Sequence, residues 1–421
     1  MIACAGEDQQ RREDRRQSKA EGHGGSLHPP AGAGSQRHRV ATKPTRGYPP
    51  RVRSLSLAFL TLSLLAPPAA HAQEGGWAEI FDPAQRLGRR RMRQGLAKLV
   101  HGLSPGDPAL GAAPRWVLLE QALVRFERAR RVLPDDPELA YYTAYALTRW
   151  ERPARDGGTE YRADEAIAEW QRVRALDPEF FPDRVAYELA MLHMRRQEFE
   201  RARAEYEAAL RTALPPTVQL EDRFYLPATS ERALAFLFSG LDRANVHGNL
   251  AEVTMLTGDL RSAITHYEAA IEQTEDPFTR SLAEWGLALT LDRSGDSDAA
   301  LEVAARALRG DPVPPDDPRF AALHRAHGAM SVLHLDFVFF EPVYELHAYE
   351  ALGHEATARM DGGANRPALE RALRSWRLFL AEGGTSSRFA GGARRHLERL
   401  EAELGVEAAP LRAPSGRGLL R

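Results

Sequence analysis

From Arg115 onward, small and bulky apolar residues recur at helical offsets. Ala122, Phe126, Ala129 and Pro134 are separated by four, three and five residues, and the same offsets return at Ala166, Trp170, Val173 and Pro178 and at Ala300, Ala304, Ala307 and Pro312. Ala202, Tyr206 and Ala209, and Ala263, Tyr267 and Ala270, repeat the first three positions, with the proline one place late at Pro215 and two places late at Pro277. Offsets of four and three keep side chains on one helical face. A small Ala lets a neighbouring helix approach, the bulky residue fills the gap, and the proline stops the helix at a turn. In three copies a preceding helix keeps a fixed phase: Leu189-Ala190, Leu250-Ala251 and Leu287-Ala288 each lie thirteen residues before the next Ala anchor. Gly258 and Gly295 stand where that first helix must break before the second begins.

A different pattern occupies Leu55 to Ala66, an unbroken apolar run preceded by Arg46, Arg51 and Arg53 and followed by Pro67-Pro68 and Ala70-His71-Ala72. Basic, apolar and small-residue parts in that order predict a secretory signal peptide over residues 51–72, with Ala70-His71-Ala72 as the cleavage site and Gln73 as the first mature residue. The run falls short of the roughly 20 residues a bilayer span needs, so no stable membrane span is expected after cleavage. The expected location is therefore exported, periplasmic or secreted. Residues 1–50, rich in Gly, Pro, Arg and His, are expected to be disordered or to precede the true start, for which Val40 and Val52 are candidates.

The helix pairs resemble the tetratricopeptide repeat family, whose unit is a helix-turn-helix of about 34 residues; the signal peptide makes it an exported bacterial type. The resemblance is fullest at Asn249–Glu272 and Leu282–Pro312. It implies an all-α, tetratricopeptide-like α-solenoid, a right-handed superhelix of antiparallel helix pairs. The spacings of Ala122, Ala166, Ala202, Ala263 and Ala300 are 44, 36, 61 and 37 residues, so the array is interrupted by insertions. One, Trp150 to Tyr161, is expected to be a loop; the other, Leu214 to Phe238, an extended piece followed by a helix. The expected organisation is a weakly patterned lead-in and linker over 73–114, the array over 115–312, divergent helical repeats with a closing helix over 313–404, and a disordered tail over 405–421.

Stacked helix pairs present a concave surface lined by the first helix of each pair, and such surfaces hold extended peptides or a partner helix. The phase of the repeats turns Tyr141, Tyr145, Tyr187, Met191, Met194, Asn245, Glu252, Met255, Trp285 and Asp292 inward. Aromatic and methionine side chains with a few polar groups suit a binding groove, and the expected partner is a protein or peptide.

Composition narrows the chemistry. Lys plus Arg, 56, nearly cancels Asp plus Glu, 58, and only Lys19, Lys43 and Lys98 are lysines, so no nucleic-acid partner is expected. The single cysteine, Cys4, excludes an intramolecular disulfide and a cysteine-based zinc site. Phosphate loops and nucleophile elbows are missing, so the chain is expected not to be an enzyme and to carry no cofactor. The sharpest constellation is His324, His327, His334, His347 and His354 with Glu345, Glu350 and Glu355. On one helix His347, Glu350 and His354 share a face, which keeps open an alternative, a metal-dependent enzyme centred on residues 324–355. The default expectation there is no metal: helical His and Glu are commonly solvated or hydrogen-bonded. His193 is expected in the core, as is the apolar run Phe337–Phe340.

Overall fold

The structure is a computed structural model that describes residues 2–3, 82–103, 114–154, 158–212, 241–335, 338–362, 365–383 and 387–406. The signal peptide with Ala70, Ala72 and Gln73, the whole insertion at 214–238 and nearly all of the tail lie outside the described residues.

Helices α1 (Pro83–Leu103) and α2 (Arg115–Arg130) form the first pair. They are followed by α3 (Pro137–Thr148) with α4 (Ala163–Leu176), α5 (Pro182–Arg195) with α6 (Phe199–Arg211), α7 (Arg243–Thr257) with α8 (Leu260–Gln273), and α9 (Pro277–Ser294) with α10 (Ser297–Arg309). An irregular stretch containing the short α11 (Ala321–His327) and a 3-10 helix (Gly328–His334) precedes the last pair, α12 (Glu345–Met360) with α13 (Arg366–Ala381), and the closing α14 (Ala390–Leu404). Helices pack chiefly on their neighbours in chain order, the arrangement of a solenoid. This is an all-α, tetratricopeptide-like fold.

The repeat anchors explain the pairing. All fifteen Ala, aromatic and aliphatic anchors of the five copies are buried, none more than 4% exposed. The turns carry their own chemistry. Gly258 and Gly295 end α7 and α9 at φ of 93° and 97°, where a side chain would be strained. Asp136, Asp259, Asp276 and Asp296 then accept the first free amides of α3, α8, α9 and α10, each such cap contributing about 1 kcal/mol. Pro277 starts α9 behind its Asp276 cap instead of merely stopping α8, because a proline at the first helical position loses no hydrogen bond.

One weakly patterned segment gains an element, and one sequence expectation needs correction. The lead-in is a full helix, α1, packed on α2. Its glycines recur every seven residues: a Cβ at Gly88 would lie 2.7 Å from Leu133, at Gly95 2.5 Å from Phe126, and at Gly102 3.0 Å from Leu119. The opposed order of these contacts runs the helices antiparallel, and the missing side chains let them close up. Four arginines between Arg89 and Arg93 had diluted the apolar pattern of Met92, Leu96 and Leu99. The Trp150 to Tyr161 loop is instead a hairpin, β2 (Glu151–Pro153) against β3 (Thr159–Tyr161), in which Arg152 and Glu160 are cross-strand partners and an ion pair.

The stretch between α10 and α12 folds back across the array. Met330, Val332, Leu333, Leu335, Val338 and Phe340 are buried in the same cluster as Trp285, Leu289 and Tyr349 of the first helices α9 and α12. The strand at Val338–Phe339, β4, reaches α5, where the Arg195 guanidinium sits 5.3 Å from the Phe339 ring centre. Ile2–Ala3 forms β1, laid antiparallel on β4 with Ile2 opposite Phe339 and Ala3 opposite Val338, and in contact with α7.

Candidate functional site

The inward positions form a buried seam between repeats. Tyr141, Tyr145, Met194, Glu252, Met255 and Trp285 are fully buried, and Tyr187, Met191, Asn245 and Asp292 are no more than 8% exposed. As placed, they do not line an open groove. The Tyr141 ring stands edge-on to Trp170 at 5.2 Å, and Tyr145 lies beside the same indole. Tyr187 accepts from Asn249 Nδ2 at 3.1 Å, which also donates to Asn245. The Tyr206 hydroxyl meets Met191 Sδ, and the Thr290 hydroxyl meets Met255 Sδ. Glu252 accepts from the hydroxyls of Tyr267 at 2.6 Å and Tyr349 at 2.9 Å, tying α7 to α8 and α12. Trp285 packs over Gly353, where a Cβ would come within 2.9 Å of the ring. The burial has two physical causes: Tyr141, Tyr145, Tyr187, Met191 and Met194 pack against the helices of their own and the neighbouring repeat, whereas Met255 and Trp285 share a cluster with the apolar side chains of the crossing segment.

Asp292 belongs to a second interior cluster. His396 Nε2 lies 2.9 Å from Asp292 Oδ1 and its Nδ1 lies 2.9 Å from Glu355 Oε1, while its ring stacks on Trp376 at 4.5 Å. Burial alone would push the imidazole down, but the two carboxylates outweigh it and raise it to about 9.

Beside β4 lies a cleft of about 300 Å³ lined by Trp150, Tyr161, Arg162, Arg195 and Phe339, among others. Its floor is the end of α5 and its rim the β2–β3 hairpin. This aromatic surface, in which Arg162, Arg195 and Arg196 stand beside Glu151 and Glu341, flanks the place where β1 pairs with β4.

The histidine group is brought together differently from the sequence expectation. His324 is structural: its Nε2 lies 2.9 Å from the Val313 carbonyl and its Nδ1 3.2 Å from Ser331 Oγ. His354 turns toward Arg371, 3.4 Å away, and burial followed by that guanidinium lowers its imidazole to about 4. Glu355 joins His396 and Trp376, and Glu345 pairs with buried Arg293. The groups that converge are His327, His334 and Glu350, whose ligand atoms all lie within 4.8 Å of one another. His347 bridges Glu350 at 3.2 Å and Glu382, which follows the last residue of α13, at 3.1 Å. Burial would raise the Glu350 carboxyl, but His334 and His347 bring it down to about 2. Sequence spacing could not find this trio, because His327 and His334 stand at the two ends of a 3-10 turn entered through Gly328 at φ 58°. His193 is in the core as expected, 2.7 Å from Glu198.

These elements define a helical-repeat class of protein, tetratricopeptide-like in pairing, anchors and turns. No protein-family model matches the chain, and no curated protein matches it. Among solved structures it is similar to the TPR domain of P58(IPK), with 14% identity over 76% of this chain and 98% of that one and a TM-score of 0.22. At that TM-score the fold description rests on this chain's own helix pairs.

Proposed function

We propose that this protein is an exported, non-catalytic scaffold that holds an extended segment of a protein partner in the bacterial envelope. The observation that carries the reading is the pairing of β1 with β4: an extended backbone already lies along Val338–Phe339 and against α7. Strand addition takes its affinity from main-chain hydrogen bonds and its specificity from flanking pockets. The cleft beside Phe339, with Trp150 and Tyr161, is such a pocket, suited to an aromatic side chain. On the signal-peptide reading the mature chain begins at Gln73, so β1 is absent from it and the β4 edge is open to a partner. Specificity then belongs to the edge of the crossing segment and the hairpin, while the buried first-helix residues hold the repeats together.

The test compares the full chain with a chain starting at Gln73, each titrated with a fluorescent peptide matching residues 1–8. The expected result is binding to the shorter chain, weak or no binding to the full chain, and loss of binding in Phe339→Pro, which removes a ladder amide. Equal behaviour of the two chains, or binding retained by Phe339→Pro, overturns the reading. N-terminal sequencing of the secreted protein checks export: a mature chain retaining residues 1–50 refutes cleavage at Ala72.

A further inference from the structure

The crossing segment has little regular structure of its own, yet it packs on the first helices α9 and α12. Between Gly310 and Tyr344 the described helical elements are α11, with seven residues, and the seven-residue 3-10 helix. Apolar contacts hold its second half. Its first half is held by Val313 in the same core cluster, with Phe320 and Leu323 packed against it, and by polar contacts: Asp311 accepts from the amides of Val313 at 3.0 Å and Ser331 at 2.8 Å, and His324 joins Val313 to Ser331. Against α12, the polar side chains of this segment meet at one place. His327 and His334, at the two ends of the 3-10 turn, stack with ring centres 3.4 Å apart and a tilt of 19°. Glu350 of α12 comes up to the same point, its Oε1 3.3 Å from His334 Nε2.

We propose that His327, His334 and Glu350 bind one divalent transition-metal ion of the zinc class, which cross-links the crossing segment to α12. Three observations support it. The first is convergence: ligand atoms around a tetrahedral zinc stand roughly 3.4 Å apart, and the three atoms here all lie within 4.8 Å, so the set closes once one imidazole turns out of the stack to aim its in-plane lone pair at the ion. The second is ligand type. Two imidazoles and a carboxylate suit zinc and its neighbours, whereas calcium and magnesium take oxygen ligands. The third is the support behind the carboxylate. His347 contacts Glu350 through Nδ1 and Glu382 through Nε2, so the carboxylate is oriented by a chain of side chains running to the end of α13, as metal ligands commonly are. The His334 side chain is only 3% exposed, while Glu350 is 19% exposed, which leaves an approach from the solvent side and a dry floor.

A bound ion would fix the base of the segment whose far end carries β4. It would thus act on the geometry of the strand edge without touching it.

The test uses the untagged full chain, stripped of metal, loaded with zinc and dialysed against metal-free buffer. Elemental analysis is expected to find one zinc per chain, and cobalt(II) in its place to give the intense visible bands of a low-coordinate site. His334→Ala and Glu350→Gln should each lose more than nine-tenths of the bound zinc while keeping the wild-type circular dichroism. His354→Ala should keep it all. His347→Ala should retain one zinc with affinity lowered about 10- to 100-fold. Less than half an equivalent in the wild type, a cobalt spectrum like that of the free ion, or a full equivalent retained by Glu350→Gln overturns the proposal. If His334→Ala fails to fold, the wild-type cobalt spectrum and Glu350→Gln decide it. Peptide binding is measured on metal-free protein, so failure of the metal site and failure of the scaffold reading stay distinguishable.

Discussion

The repeat array and the segment that crosses it are held in different ways. In the array, stability comes from repetition: an Ala anchor beneath a bulky ring, an Asp cap and a Gly or Pro turn recur, so each helix finds its partner within a few residues of chain. In the crossing segment nothing recurs. Its apolar residues are buried only because first helices far away in sequence form a surface for them, and its polar residues are satisfied one by one. A periodic region thus depends on local codes, while the aperiodic region depends on the surface that the periodic one builds.

The largest expected contrast sets Trp170 against Phe340. Trp170 is fully buried and donates its indole N–H to Thr148 Oγ1 at 2.9 Å. Trp170→Ala should destabilise the helices by about 3–5 kcal/mol, read as a lower urea midpoint by circular dichroism. Phe340 is 5% exposed and packs near Tyr349. Phe340→Ala should leave that midpoint nearly unchanged and instead raise hydrogen exchange in residues 310–344. Equal effects of the two on global unfolding would merge the regions into one cooperative unit.

Next in size is a pH effect confined to the end of the array. His396 is raised from 6.5 to about 9 between Asp292 and Glu355. A raised histidine stabilises the folded state fully below pH 6.5, and that stabilisation is lost as pH rises through about 9. The loss should be on the order of 3 kcal/mol, measured by urea melts between pH 6 and pH 10 and abolished in His396→Gln. The smallest effect is expected at the front. Gly95→Ala puts a Cβ 2.5 Å from the Phe126 ring; overpacking of about 1–3 kcal/mol, offset by about 1 kcal/mol of helix propensity, leaves a net loss of about 1 kcal/mol. A stabilised Gly95→Ala protein would mean that α1 is not tightly paired with α2.

Much of the array was legible because its rules are short-ranged. The Ala122, Phe126, Ala129 spacing, the glycines at 258 and 295, and the closing helix at Ala393 to Leu404 were all readable within a window of a few turns. Helix α1 was not read, although its signal, glycine every seventh residue, was present; arginines on the outer face masked the apolar one. The inward residues were correctly placed on the first helices, but their phase could not tell a groove from a seam, since that depends on what lies across from them.

The sequence alone therefore determined the class of fold, the helix pairs and their turns, because those follow from periodicity and backbone preference within a short stretch of chain. Only the tertiary structure decided that the inner face of α9 and α12 is covered by Met330, Val332, Leu333, Leu335, Val338 and Phe340, that β4 offers a pairing edge near α5, and that His327 and His334 meet Glu350 while His354 turns away. Those outcomes come from contacts between residues far apart in the chain, made through irregular backbone whose course no local period records.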